Sequence, residues 1–214
     1  MYTITELPRT PITVCYRPRL FFSIYYKTGD HAFRYAAETW RNVVKAQESF
    51  AGYDHFVERE ISTEFEFKTA WQELYQKATN DNLLVWAGQL FTHSSKQTDG
   101  NDGLEFHGDD HDNGTLQQAE IASLAKLPWH NQGFLILAGC NSGINGSRGW
   151  SPAEEFAKKQ GVKTLGQVGY GYFSEVWDTY DEKPSSATTI ALWAYRRGKN
   201  GALGDGKRIP AKIF

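Results

Sequence analysis

Two short, continuous runs of apolar residues constrain the fold more than any other feature of the chain. They occupy residues 83–88 and 134–138. A run of this length, without alternating polar residues, is typical of a strand buried on both faces of a parallel sheet. Segments with helical periodicity alternate with the predicted strands, and this alternation favours a parallel sheet that helices cover on both faces. The sequence therefore predicts an α/β fold.

The length and charge of the chain predict one domain, residues 1–214, with no nucleic-acid partner. A chain of 214 residues with 40% hydrophobic residues can bury one substantial core. The net charge of −2 is too small to indicate a polyanionic partner. No run of about 18 apolar residues indicates a membrane span, and the N-terminus lacks the pattern of a signal peptide. We expect a soluble protein, either cytoplasmic or secreted without a cleavable signal.

Periodicity and capping signals locate the other elements. Strands are predicted within residues 12–26, 55–67, 83–88, 134–138 and 162–168, and helices after Asp30, near Phe67, at Thr115, after Ser151 and over 188–197. Asp30 is a candidate cap, and Thr115 with Gln118 has the form of a capping box. Ser151 followed by Pro152 is a favourable helix start.

A cysteine and a histidine follow the two apolar runs. Cys140 lies in the glycine-rich turn 139–143 after the second run, and His93 lies shortly after the first. Reactive groups collect at the carboxyl ends of strands in open α/β sheets, and neighbouring parallel strands are roughly 4.8 Å apart. The two side chains are therefore candidates for a nucleophile and its acid–base partner, with backbone amides of the turn stabilising an oxyanion.

Over approximately residues 83–174 the chain resembles the caspase-like cysteine peptidases, which include the gingipain, clostripain, separase and CHAT groups. The resemblance rests on LLVWAGQLFTHSS, GLEFHGDDHDNGTLQQAEIASL, LILAGCNSG and SPAEEFAKKQGVKTLGQVGYGYFS. It implies a caspase-like three-layer α/β/α domain with a mainly parallel sheet. It also implies a cysteine endopeptidase in which Cys140 is the nucleophile and His93 the general acid. Gly139 and Ser94 are then the candidate backbone donors to the oxyanion.

The same resemblance predicts a substrate pocket after the nucleophile. Ser174, Glu175 and Asp178 are the candidate lining residues. An acidic side chain in that pocket favours Lys or Arg before the scissile bond. The expected partner is a protein or peptide substrate, with an inhibitor or immunity protein as a second partner if the chain is a bacterial effector or toxin.

Three alternatives remain open at the level of sequence. Caspase-like peptidases carry His-Gly directly after the strand, whereas here Gln89 follows Gly88 and His93 comes four residues later. Either the strand runs on to Thr92, or His107 is the base. A catalytically inactive interaction domain and a thiol-dependent amidase or acyltransferase are the alternative functions.

No metal or cofactor is predicted. The segment around Asp109, Asn113, Gly114 and Glu120 partly fits a calcium loop, but His111 occupies a ligand position. The second cysteine, Cys15, is predicted to be a core residue inside a strand, and both cysteines are expected to be reduced.

Overall fold

The computed structural model describes residues 17–29, 31–95, 103–108, 113–171, 194–195 and 211–214. The helices of this part are α1 (Ala32–Ala46), α2 (Glu64–Asn80), α3 (Gln118–Ser123) and α4 (Pro152–Gln160). Its strands are β1 (Arg19–Tyr26), β2 (His55–Ile61), β3 (Leu84–Phe91), β4 (His93–Ser95), β5 (Gly103–Glu105), β6 (Thr115–Leu116), β7 (Trp129–Leu137), β8 (Lys163–Gly166), β9 (Tyr170–Gly171), β10 (Ala194–Tyr195) and β11 (Lys212–Ile213).

The central sheet is mainly parallel, as the apolar runs predict. Its strands lie in the order β2-β1-β3-β7-β8-β11. All neighbours in this sheet pair in parallel except β11, which runs antiparallel to β8. The chain winds outward in both directions from β1 and β3, so the strand order reverses between these two strands. A reversal of this kind leaves a crevice at the carboxyl ends of the strands.

Helices cover both faces of the sheet. On β1, the alternate residues Leu20, Phe22 and Ile24 belong to a core shared with α2, α3 and α4. Phe21 and Tyr25 belong to a second core, which α1 covers. Because successive side chains of a strand point to opposite faces, the two cores lie on opposite sides of the sheet. The architecture is therefore mixed α/β with helical layers on both sides of a mainly parallel sheet.

The cap predicted for α4 is confirmed. The Ser151 hydroxyl accepts from the amide of Glu154 at 3.4 Å, and Pro152 is the first helical residue. Gly161 ends the helix in the left-handed conformation, with φ of 63°. Each of these residues suits its position, because a hydroxyl, a proline and a glycine favour the N-cap, the first helical position and the C-terminal left-handed position respectively.

Two other predicted boundaries are wrong. The extended segment predicted to reach Phe67 ends at Ile61, because Thr63 and Glu66 form a capping box that starts α2. The helix predicted to begin at Thr115 begins at Gln118, since Thr115 pairs instead with β5.

The C-terminal helix predicted over 188–197 is wrong where the structure describes it. Ala194 and Tyr195 form β10, which pairs antiparallel with β9. The remainder of that segment lies outside the described residues, as do Cys15 and the candidate cap Asp30. Within the described ranges, none of the helices has the length and apolar character needed to cross a membrane.

Candidate functional site

The first apolar run continues as a strand beyond its predicted end. β3 reaches Phe91, and His93 then begins β4. Gln89 does not break the strand, because it pairs with Ser23 of β1 and Ile136 of β7 and is fully buried. His93 therefore follows the end of β3, which is the first of the two possibilities left open by the sequence.

Cys140 follows the neighbouring strand in the turn 139–143. The amide of Ala138 donates to the carbonyl of Leu90 at 2.8 Å, so β7 and β3 remain paired to the start of this turn. The Cys140 side chain is half-buried. Asn141 adopts a left-handed conformation with φ of 57°, which turns the chain away from the sheet.

Gly139 brings the cysteine turn against the segment that carries the histidine. A Cβ atom on Gly139 would lie 2.9 Å from Cβ of Ser94 and 3.0 Å from the carbonyl oxygen of Thr92. These residues flank His93, and Gly139 immediately precedes Cys140. Since only glycine allows this approach, the local sequence places the two candidate residues at adjoining strand ends.

Hydrogen bonds hold the cysteine turn to the segment after β8. The buried Ser142 hydroxyl donates to the carbonyl of Leu137 and accepts from the amide of Gln167, both at 2.9 Å. The amides of Asn141 and Gly143 donate to the carbonyls of Gly169 and Gln167 at 2.7 Å and 3.0 Å. The turn is thus fixed at both ends.

The same hydrogen bonds reduce the number of backbone amides that are candidate donors to the oxyanion. The amides of Asn141, Ser142 and Gly143 all donate to carbonyls within the protein. These three amides are therefore not donors to an oxyanion, and Gly139 and Ser94 stay the candidate donors that the resemblance implies. Ser94 has a buried side chain and pairs with Leu104 in the β4–β5 hairpin, so its backbone is held in place.

Two aromatic side chains flank His93. The ring of Tyr26, at the end of β1, lies edge-on at 5.6 Å between centroids. The ring of Phe33, on α1, lies at 5.0 Å. The histidine is otherwise exposed. The helical periodicity predicts that Phe33 belongs to a buried stripe. It does not predict that Phe33 or Tyr26 contacts His93, because these contacts depend on β1 pairing with β3.

His107 occupies a different position. Its amide donates to the carbonyl of Ser62 at 3.0 Å, and it forms an isolated bridge with Thr63. Both partners follow β2, which is three strand spacings, about 14 Å, from β7. The ring of His107 lies edge-on to the ring of Tyr26, with 6.2 Å between their centroids. His93, which follows the immediate neighbour of β7, is therefore better placed than His107 to act with Cys140.

A pair of acidic residues, of which Glu64 is buried, lies on the face of the sheet opposite α1. Lys68 contacts both Glu64 and Glu120, with 2.6 Å between its Nζ and Oε1 of Glu120. Burial, followed by a hydrogen bond with Glu120, raises the pKa of Glu64 to about 7. Burial also acts to raise the pKa of Glu120, but its hydrogen bonds with Glu64 and the Gln117 amide outweigh burial and lower it. Of the two acids, Glu64 therefore keeps its proton to higher pH, and the cluster joins α2 to α3.

The predicted pocket residues Ser174, Glu175 and Asp178 lie outside the described part of the chain, as do Asp109 and His111 of the calcium-like segment. Among the residues that the structure describes, no group of three or more His, Cys, Asp or Glu side chains is arranged to hold a metal ion.

Comparison of the chain with protein-family models, with curated proteins and with solved structures finds no match.

Proposed function

We propose that the chain is a cysteine endopeptidase with a caspase-like fold, acting through Cys140 and His93. The observation that carries the proposal is the packing of Gly139 against Thr92 and Ser94, the two neighbours of His93. A nucleophile and its acid–base partner must come within reach of one substrate carbonyl, and this packing brings their strand ends together.

The arrangement of the sheet supports the caspase-like assignment. The sheet is mainly parallel, helices cover both faces, and His93 and Cys140 follow adjacent strands in the order that the resemblance implies. The two residues also lie at the carboxyl ends of β3 and β7, close to the crevice where the strand order reverses.

The proposed reaction is acyl transfer in two steps. The thiolate of Cys140 attacks the scissile carbonyl carbon, and the amides of Gly139 and Ser94 are the candidates that bind the resulting oxyanion. As the C–N bond breaks, the His93 imidazolium gives its proton to the leaving amine, which leaves a thioester on Cys140. The neutral His93 then takes a proton from water, whose oxygen attacks the thioester and releases the acid and the thiolate.

The test is cleavage of a peptide library by the full chain and by variants at each candidate. Cys140→Ala and His93→Ala should abolish cleavage, because each removes one member of the pair. The same two variants should remove or slow the fast reaction of Cys140 with iodoacetamide, which reports thiolate formation. The matched controls are Cys15→Ala, which keeps the proposed nucleophile, and His107→Ala, which keeps the proposed acid.

Unchanged cleavage by Cys140→Ala would reject the proposal. Loss of cleavage in His107→Ala, with activity retained in His93→Ala, would move the acid–base role to His107. Cleavage C-terminal to Lys or Arg would support the acidic pocket that the sequence predicts at Glu175 and Asp178.

A further inference from the structure

The β4–β5 hairpin places a glutamate opposite His93. The two strands are antiparallel, and the register places His93 directly opposite Glu105. Directly opposed residues of an antiparallel pair have their side chains on the same face, with Cβ atoms about 4.5–5.5 Å apart. A glutamate side chain is long enough to bring its carboxylate to an imidazole nitrogen over that distance. Glu105 is half-buried, so it is only partly screened by water.

Two aromatic rings also contact the imidazole ring of His93. Tyr26 meets the ring edge-on at 5.6 Å, and Phe33 lies at 5.0 Å. The hairpin that carries His93 is also held to β6, since Glu105 pairs with Thr115. The His93 ring therefore lies against side chains from β1 and α1, on a hairpin that β6 holds in place.

We propose that Glu105 is a positioning residue for His93, so that the site is a triad of Glu105, His93 and Cys140. This inference rests on the proposed peptidase function for the role of Cys140, while the cross-strand pairing of Glu105 with His93 stands by itself.

A carboxylate at this place has two effects on the imidazole. It accepts a hydrogen bond from one ring nitrogen, which fixes the tautomer and directs the other nitrogen outward. It also stabilises the imidazolium form, and a nearby imidazolium favours the thiolate of Cys140. The other titratable side chains that the described elements bring to this end of the sheet are Tyr25 and Tyr26 of β1, Lys27 after it, Glu60 of β2, His31 and Arg34 at the start of α1, and His107 after β5. Glu60 is the other carboxylate in this set; it forms an ion pair with Lys27 and belongs to β2, two strands from β3. Glu105 is the carboxylate directly opposite His93.

The test compares Glu105→Gln with Glu105→Asp in the full chain. Glu105→Gln keeps the size of the side chain and removes the charge, and we expect the titration midpoint of the His93 ring protons, followed by NMR, to fall by about half a pH unit or more. We expect the pH profile of iodoacetamide alkylation at Cys140, followed by mass spectrometry of the peptide that bears it, to shift towards higher pH. The specificity constant for peptide cleavage should fall about 5- to 10-fold, mainly through kcat.

Glu105→Asp should recover part of each effect, because it restores the charge on a shorter side chain. The matched control is Glu48→Gln, at an exposed glutamate in the turn after α1, which should leave the His93 midpoint and the alkylation profile unchanged.

The outcomes separate this inference from the proposed function. A lowered His93 midpoint in Glu105→Gln supports the pairing whether or not the wild-type chain cleaves peptides. An unchanged midpoint together with an unchanged alkylation profile overturns the triad, even if Cys140→Ala abolishes cleavage. A drop in activity of the same size in Glu48→Gln would also overturn it, since the effect would then reflect only a general loss of negative charge.

Discussion

Ser142 joins the ends of two neighbouring strands next to Cys140. Its hydroxyl hydrogen-bonds the carbonyl of Leu137, where β7 ends, and the amide of Gln167, just after β8. The side chain is fully buried, so water cannot replace either bond. This small polar residue therefore sets where the cysteine turn lies relative to the sheet.

Ser142→Ala should destabilise the protein and disturb the site. The change leaves a buried carbonyl and a buried amide without their partner, at a cost of about 2–4 kcal/mol in the free energy of unfolding. Urea unfolding measures this loss, and the alkylation rate of Cys140 should change in the same variant because the turn is no longer held. Ser49→Ala, at an exposed serine, is the control and should change neither quantity. Equal unfolding midpoints for the two variants would contradict the role of Ser142.

At the scale of elements, two glycines allow the cysteine turn to approach β8. A Cβ atom on Gly166 would lie 2.5 Å from Cα of Gly143 and 2.5 Å from Cβ of Ala153. One on Gly143 would lie 2.6 Å from the carbonyl oxygen of Gly166. The turn, the end of β8 and the start of α4 are thus in direct contact at these two positions.

Gly166→Ala should push the cysteine turn away from β8. Because the atoms it meets are mostly backbone and a short side chain, the strain cannot be relieved by a rotamer change, and we expect a loss of about 2–3 kcal/mol in stability. The thiol reactivity of Cys140 should fall as well. Gly52→Ala is a matched control, since a Cβ there has no heavy atom within 4 Å. Thermal unfolding and the alkylation rate of Cys140, measured for both variants, test the prediction. A Gly166→Ala variant with the unfolding temperature and alkylation rate of the wild type would contradict it.

Elements with strong local signals could be predicted from the sequence. Their boundaries could be predicted only where the capping residues were unambiguous. The apolar runs gave the strands that position His93 and Cys140, and Ser151 with Pro152 gave the start of α4. The alternation of Phe65 and Phe67 was misleading, because the Thr63 capping box places both residues in a helix. Local patterns decide such cases only when capping and periodicity agree.

The partners of His93 could not be predicted in the same way. Glu105 is opposite His93 because of the register of a hairpin whose strands are separated by residues 96–102, and Tyr26 reaches it because β1 and β3 are neighbours. Both relations join residues that are distant in the sequence, and short strands carry little information about register. The positions of Cys140 and His93 after adjacent strands could therefore be predicted from the sequence, whereas the side chains around them required the structure.

For the molecule as a whole, the cluster of Glu64, Lys68 and Glu120 makes stability depend on pH near neutrality. In the native state the pKa of Glu64 is raised from 4.5 to about 7, mainly by burial. The native protein thus holds a proton that the unfolded chain has released, so its stability falls as the pH rises from about 4.5 to about 7. The lowered pKa of Glu120 acts in the opposite sense, but its contribution is lost only as the pH falls below 4.5.

Glu64→Gln should remove this dependence. Glutamine resembles the protonated glutamate at every pH, so at pH 5 the variant should match the wild type, and at pH 8 it should be more stable by about 1–2 kcal/mol. The expected gain is smaller than the full shift in pKa implies, because the Lys68 and Glu120 side chains are 35% and 31% exposed and water screens the cluster. Urea unfolding at pH 5, 6, 7 and 8 measures the difference, with Glu73→Gln, an exposed position on the same helix, as the control. Parallel stability curves for Glu64→Gln and the wild type would contradict the prediction, because they would show that Glu64 is ionised in the native protein. The ionised carboxylate, and not a proton held by the acidic pair, would then join α2 to α3.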